Sequence, residues 1–456
     1  MPVSSKKKLR LTLGNFLVRK LSASRWAFFR KRTPERARRW FRRMLEKPMR
    51  QGLKFVRMPD WSEPEEPKTD GLPQIPLSKD SLSTYPGVNL YGYFSRWLGL
   101  GECVRLYANA MIASGYPVSL HDVEIDIPHA RHDQTLAAHM GTGPAFSHDL
   151  IFVNPDYWAA TLSSIGAAAG ARHYVIGYWF WELENFPEGW RYAFDQVDEV
   201  MVSSAFVERA VRRVCDKPVT RVPLPVVPGR DSGLQRRHFG LREDDYIFLC
   251  AFDFNSTVAR KNPHAVIDAF CQAFPRGDEQ VALLIKSSNG EGNADELVRL
   301  LVSAARDVRI LVRDDMLERH HLQALHRCVD AYVSLHRCEG FGLGMAEAMC
   351  LGKPVVATAY SGNMDFMSQA NSCPVRYSMI AVEPGQYPHS QGQQWADADT
   401  THAADLLRAL YVDPEMGRKL GSQAARDMAR NFSVEACLDV LVKRLRSIDH
   451  KLDDVV

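Results

Sequence analysis

The sequence lacks paired cysteines and long apolar runs, and these absences exclude several classes of protein. Its nine cysteines are scattered singly over 456 residues, without a C-x-x-C pair, so neither a disulfide framework nor a zinc ribbon is indicated. No apolar stretch approaches the roughly 20 residues that span a bilayer, and the amino terminus lacks the uninterrupted apolar core of a signal peptide. We therefore expect a protein of the reducing cytoplasm.

The positive charge of the chain is concentrated at one end. Residues 1–54 hold 18 lysines and arginines against two glutamates, although the net charge of the whole chain is only +3. From Thr33 onward, apolar residues such as Trp40 and Phe41 fall on one face of a predicted helix, with arginines opposite. Such a helix can lie on an anionic membrane surface. The alternative is a disordered or packed basic arm; nucleic-acid binding is not favoured, because no recognition motif accompanies the charge.

The rest of the chain is long enough for two cores and alternates predicted strands with helices, which favours an α/β fold with doubly wound parallel sheets. We predict an arm over residues 1–58, a proline-rich linker over 59–85, a first domain over 86–225, a second over 226–432 and a closing helix over 433–456. The proline-rich segment 222–229 is the predicted hinge. Predicted strands cover residues 88–94, 117–120, 150–153, 174–180, 200–202, 219–222, 246–252, 281–286, 308–311, 331–335 and 354–359.

One predicted strand–turn–helix–strand unit, residues 330–365, carries most of the chemistry. Its glycine turn should lie at the carboxyl edge of a parallel sheet, where such sheets bind ligands. Glu339 precedes the turn, and Glu347 lies within a helix predicted to start near Leu343. Free N–H groups at the start of that helix form an anion site, so a phosphate there, flanked by carboxylates, describes a sugar nucleotide. A G-x-G-x-x-G dinucleotide fingerprint is absent, because position 345 is Met.

The spacing Glu339-x7-Glu347, within HRCEGFGLGMAEAMCLGKPVVAT, resembles the glutamate motif of retaining glycosyltransferases of family 4. The resemblance implies the GT-B fold, in which two Rossmann-like domains face each other across a cleft. It also implies that Glu339 lies by the donor sugar as a catalytic residue and that Glu347 binds the nucleotide ribose. The amides of the turn would meet the sugar or the diphosphate; the turn residues are Gly340, Phe341, Gly342 and Leu343.

Two further segments carry the same resemblance. GVNLYGYFSRWLGLGECVRLYANAM is similar to the first strand, glycine loop and helix of the family, which places Gly99 and Gly101 at the cleft; a structural turn is the alternative. FDFNSTVARKNPHAVIDAF holds Arg260 and Lys261 at a loop-to-helix junction. The family has an arginine and a lysine here that neutralise the leaving diphosphate. Lys261 matches, whereas the usual arginine position holds Asn255 or Ser256, so Arg260 is the predicted substitute.

The remaining candidates are less specific. Arg337 precedes Glu339 closely enough to contact phosphate or base, and the turn around Asn363 presents amides towards the donor. At the end of strand 174–180 the family's histidine is absent, which leaves Glu182 and Trp179 as polar and stacking candidates for the acceptor or the cleft wall. Asp397-Ala-Asp399 resembles a D-x-D metal motif, but a helix cap is the preferred interpretation.

The resulting hypothesis is a retaining, metal-independent glycosyltransferase that requires no cofactor. It would move a sugar from a nucleotide-diphosphate donor to a glycan or lipid-linked acceptor, in polysaccharide or glycolipid synthesis. The basic arm would hold it as a peripheral protein at the inner face of the plasma membrane. The alternatives are a sugar-nucleotide epimerase or hydrolase of the same fold, and a non-catalytic donor-binding module.

Overall fold

The computed structural model describes residues 87–453, except 128–132, 142, 144, 166–172 and 230–231. The predicted basic arm and proline-rich linker lie outside the described residues. In the described part, no helix combines the length and the apolarity needed to cross a bilayer.

The first half of the described chain forms a six-stranded parallel sheet in the order β2-β1-β3-β4-β5-β6. Its strands are apolar along most of their length, because helices and loops bury both faces of the sheet. The strands are β1 (Val88–Gly92), β2 (Val118–Asp122), β3 (His148–Ile151), β4 (Tyr174–Trp179), β5 (Glu199–Val202) and β6 (Val219–Arg221). The helices are α1 (Gly99–Ser114), α2 (Trp158–Ile165) and α3 (Ala205–Arg212).

The second half forms another six-stranded parallel sheet, in the order β12-β11-β10-β7-β8-β9. Its strand order reverses between β7 and β10, and ligands of such sheets bind at this switch point. The strands are β7 (Tyr246–Asp253), β8 (Val281–Ser288), β9 (Ile310–Asp314), β10 (Ala331–Ser334), β11 (Val355–Thr358) and β12 (Cys373–Val375). The helices are α4 (Val258–Lys261), α5 (Pro263–Ala273), α6 (Ala294–Ala304), α7 (Arg319–Cys328), α8 (Leu343–Cys350), α9 (Thr400–Val412), α10 (Pro414–Asn431) and α11 (Val434–Asp453).

The predicted doubly wound α/β fold is confirmed, with all eleven predicted strands present. The strand predicted over 308–311 begins only at Ile310, because Val308 and Arg309 lie in a turn that the Ile310 N–H closes on the carbonyl of Asp307. Three strands were missed: β12 and an antiparallel hairpin of β13 (Tyr377–Ala381) and β14 (Gln394–Ala398). The β13 segment is apolar in sequence, but four of its five residues are exposed and it lacks the regular apolar–polar alternation that identifies a half-buried strand. The predicted domain boundaries stay predictions.

The two sheets share one continuous apolar core. Leu90 of β1, Ile247 of β7 and Leu441 of α11 belong to the same buried cluster. Helix α11 also returns to the first sheet through an ion pair in which Arg444 Nη2 lies 2.7 Å from Glu199 Oε2. Helix α11 therefore helps to stabilise the first sheet.

Candidate active site

A cavity of about 290 Å³ lies at the switch point of the second sheet. Residues at the carboxyl ends of β7, β8 and β10 line it, together with the start of α8. Six of the predicted site residues are in this lining: Gly99, Lys261, Glu339, Gly342, Leu343 and Glu347. The cavity is thus bounded mainly by the second sheet, and Gly99 contributes from the first.

The glycine turn before α8 has a backbone that favours glycine. Gly342 is the residue before the first helical turn and has φ of 97°, in the left-handed region. No side chain caps this helix, so N–H groups of its first turn remain free to bind an anion. The turn is held tightly: a Cβ on Gly362 would lie 2.1 Å from the carbonyl oxygen of Gly340. From the amino end of α3, Ser204 Oγ donates a 2.6 Å hydrogen bond to the same oxygen.

Glu339 is a buried carboxylate between two cations. Lys261 Nζ lies 2.5 Å from Oε1, and Arg260 Nη1 lies 3.0 Å from Oε2. Burial favours the neutral acid, but the charges of Arg260 and Lys261 outweigh it and lower the pKa of Glu339 to about 2. The backbone N–H of Glu339 donates to Ser361 Oγ at 2.8 Å. Glu339 is therefore ionised and fixed in place at neutral pH.

Arg260 and Lys261 have different surroundings although they are consecutive. They lie on the single turn of α4, where neighbouring side chains point about 100° apart. Lys261 is 21% exposed and lines the cavity. Arg260 is buried; it donates to the carbonyl of Cys338 at 3.1 Å, and its guanidinium lies 5.8 Å from the ring centre of Tyr387. The structure thus places Arg260 behind Glu339, away from the predicted position on the diphosphate.

Glu347 lies on the first turns of α8 and is buried against an arginine that the sequence analysis missed. Arg319 Nη2, from the start of α7, is 2.5 Å from Glu347 Oε1. Burial raises the pKa of Glu347 above its usual value, and Arg319 opposes this effect. Arg319 Nε also lies 3.3 Å from Glu102 Oε1 on α1, so the contact connects α7 of the second half of the chain with α1 of the first.

Two further basic side chains in the lining, Lys286 and His326, were also missed. Lys286, at the carboxyl end of β8, is buried and donates to the carbonyls of Ser287 and Asp315 at 2.8 and 2.6 Å. Burial lowers the pKa of Lys286 and lowers that of His326 on α7 to about 3. The position of Lys286 at the end of a predicted strand was the one available signal. Helix α7, which carries Arg319 and His326, was not predicted.

Several predicted donor-binding residues are not in the described lining of the cavity. The Nη2 of Arg337 lies 3.1 Å from Asp397 Oδ1 on β14, and its Nη1 donates to the carbonyl of Ala259. Asn363 is buried and donates to the carbonyl of Thr358 at 2.9 Å. Asn255 is exposed and accepts from Asn293, and Ser256 is half-buried.

The other predicted residues outside the lining have packing roles. Phe341 packs against Phe366, with ring centres 5.2 Å apart. A Cβ on Gly101 would lie 2.6 Å from two backbone carbonyl oxygens, so Gly101 permits close packing. Trp179 is fully buried and its ring packs against Trp158, so it lies in the core and the stacking role predicted for it is wrong.

The missed hairpin connects the site to the first sheet. In the segment between its two strands, the hydroxyl of Tyr387 donates to Glu182 Oε2 at 2.7 Å, so Glu182 lies at this junction. Gln393 exchanges hydrogen bonds with the backbone of Asn185, at 2.7 and 3.2 Å. After β14, Asp399 accepts from the backbone N–H of His402 at the start of α9, which confirms the predicted helix cap.

Comparison with known protein families shows a match over half of this chain. A family model described as "Family 4 Glycosyltransferase in conflict systems" matches residues 202–431. Among curated proteins, a trehalose synthase from Pyrococcus horikoshii is 25% identical over 139 residues, which are 30% of this chain. The match spans only 28% of the length of that protein.

Solved structures with the same fold cover most of the chain. A sucrose-phosphate synthase from Thermosynechococcus elongatus has a TM-score of 0.58 at 17% identity, over 81% of this chain and 100% of the other. The Anabaena HepE protein in complex with UDP-glucose has a TM-score of 0.53 at 14% identity, over 79% and 99%. At these identities the likeness shows the fold, in agreement with two Rossmann-like domains.

Proposed function

The chain belongs to the family 4 glycosyltransferases of conflict systems, and we propose that it transfers a sugar with retention of anomeric configuration. The donor is a nucleotide-diphosphate sugar, and the acceptor is a glycan or a lipid-linked sugar. One observation carries the proposal: a buried, ionised Glu339 pairs with the cavity-lining Lys261 directly before the uncapped amino end of α8.

The cavity offers a separate partner for each part of the donor. The free N–H groups of α8 and the ammonium of Lys261 suit the diphosphate. Glu347, on the next turn of the same helix, suits the ribose hydroxyls. Glu339 is then left for the sugar. UDP-glucose in the Anabaena relative supports a nucleotide sugar as the donor class.

The charges suit a reaction in which the bond to the diphosphate stretches early. Negative charge then grows on the leaving group, and Lys261 exchanges part of its contact with Glu339 for that group. Arg260 keeps Glu339 ionised while Lys261 moves, so the carboxylate can stabilise positive charge at the anomeric carbon. In this scheme Lys261 and the helix dipole do the work of a divalent metal, which is why we propose metal independence.

The test begins by finding the donor. A panel of UDP-, GDP- and ADP-sugars is screened for thermal stabilisation of the full chain, because a ligand raises the melting temperature according to its affinity. The stabilising donor is then offered with glycan and lipid-linked acceptors. NMR coupling constants of the product report whether the anomeric configuration is retained.

Two single substitutions test the roles proposed for Lys261 and Glu339. Lys261→Ala and Glu339→Ala should each lower kcat by about 100-fold or more, since each removes preorganised charge. Lys443→Ala is the matched control, because its exposed ion pair with Asp439 lies on α11, away from the cavity. Normal turnover in both site variants overturns the proposal. Rapid acceptor-free conversion would favour an epimerase or hydrolase, and donor binding without turnover would favour a binding module.

A further inference from the structure

A row of alternating charges runs from the donor cavity into the first sheet. It begins at Glu347, continues through Arg319 and Glu102, and reaches Arg105, whose Nη2 lies 3.0 Å from Glu102 Oε2. Arg105 Nε also lies 3.3 Å from Asp133 Oδ2. Each acid lies between or beside arginines, and the contact between Arg319 and Glu102 joins α7 to α1. The family motif contains Glu347 alone, so the other three members come from the structure.

The first-sheet end of this row holds the loop that reaches the cavity. Arg105 Nη1 donates to the carbonyls of Phe94 and Arg96, both at 2.9 Å. These carbonyls belong to the loop between β1 and α1, and this loop leads to Gly99 in the cavity lining. The same arginine therefore fixes the loop and anchors Glu102.

We propose that Arg319, aimed by Glu102, is a positioning residue that holds Glu347 for the ribose and couples ribose binding to the placement of the β1–α1 loop. This inference rests on the proposed function, because it assigns a role within the same donor site. Arg319 acts on the donor through Glu347.

The physical reason lies in the exposure of Arg319. Its side chain is 33% exposed, so a single ion pair would leave the long side chain several rotamers. A second carboxylate on Glu102 fixes the guanidinium, whose planar fork can serve two acids at once. A fixed guanidinium aims the buried Glu347 and favours its ionised form, against the burial that raises its pKa. Hydrogen bonds from ribose hydroxyls to an ionised carboxylate are stronger than those to a neutral acid.

The experiment measures ribose discrimination. Calorimetry gives the dissociation constants of uridine, guanosine and adenosine diphosphates and of their 2′,3′-dideoxy counterparts, for the wild type, Glu102→Gln and Arg319→Lys. Glu208→Gln is the matched control, since Glu208 is a similarly half-buried glutamate of the first half of the chain that pairs with Arg212. The wild type should prefer the ribonucleotide by about tenfold or more, the value of hydrogen bonds to a charged group.

In Glu102→Gln and Arg319→Lys this preference should fall at least several-fold, while binding of the dideoxy compounds stays near the wild-type value. A merely structural role would weaken both classes of ligand equally, and that result overturns the inference. Unchanged discrimination in both variants also overturns it, with the proposed function left standing. If the wild type binds no nucleoside diphosphate, the proposed function falls and the inference with it.

Discussion

The most constrained single residue is Glu339, a buried acid that stays ionised because two cations surround it. The two cations are neighbours in sequence but differ in exposure: Arg260 is buried against Glu339, whereas Lys261 lines the cavity. A site of this kind can release one cation to a ligand without leaving the acid uncompensated. An arginine suits the buried position and a flexible lysine suits the cavity position, which explains why two lysines would serve less well here.

The pKa of Glu339 gives a pH-dependent prediction. Its value in the folded protein, about 2, is below the usual 4.5, so the ion pairs stabilise the fold fully above about pH 4.5 and lose this effect as the pH falls towards 2. In urea denaturation at pH 7, we expect Glu339→Gln to be less stable than the wild type by about 3 kcal/mol. This difference in unfolding free energy should shrink between pH 4.5 and 2. A difference that is constant with pH would contradict the prediction.

The site residues that could be predicted are those that lie in recognisable local sequence patterns. Glu339, Glu347 and Lys261 lie in local strand–turn–helix patterns, and all three line one cavity. Arg319 and Glu102 come from α7 and α1, more than 200 positions apart, and no local pattern announces a contact between them. Arg260 was predicted on the diphosphate, and the structure shows it buried against Glu339; the direction of its side chain depends on the single turn of α4, which the sequence motif does not specify.

Helix α8 and the turn before it work as one element. Two contacts confine the turn at Gly340: the backbone of Gly362 lies close to it, and the Ser204 hydroxyl at the start of α3 donates to its carbonyl. This confinement fixes where the free N–H groups point. The element was predictable because glycines and good helix formers are adjacent in sequence, whereas its clamp by Gly362 depends on tertiary contact.

A methyl group at position 362 should displace the turn. Gly362→Ala would put its Cβ against the backbone of Gly340, which cannot rotate away as a side chain would. We expect a loss of about 1–3 kcal/mol in unfolding free energy, typical of overpacking, and a larger loss in donor affinity. Gly292→Ala is the control, since its Cβ would meet only one atom, at 3.8 Å. Equal donor affinity in the two variants would contradict this prediction.

Over the whole molecule, contacts between the two halves are made by elements distant in sequence. The β13–β14 hairpin reaches Glu182 and Asn185, and α11 reaches Glu199. The α/β fold was predictable from alternating strands and helices. The hairpin was not, because β13 shows no regular alternation of apolar and polar residues and its pairing with β14 depends on tertiary contact.

The contact of α11 should matter for global stability. Glu199 is fully buried and Arg444 binds both of its oxygens, at 2.7 to 3.0 Å. Arg444→Ala would leave a buried carboxylate without its cation and should cost about 3 kcal/mol in unfolding free energy. Lys443→Ala, on the exposed side of the same helix, should cost at most about 1 kcal/mol. Similar urea midpoints for both variants would show that Glu199 does not need its partner.

The pairing of Glu199 with Arg444 also bears on how the chain is made. The ribosome completes β5 long before it reaches Arg444, which follows 245 positions later. At typical elongation rates the delay is on the order of tens of seconds. Thr220 and Tyr174, which donate to Glu199 in the folded protein, are synthesised well before Arg444. The first sheet therefore reaches its final stability only after the carboxyl-terminal helix has emerged.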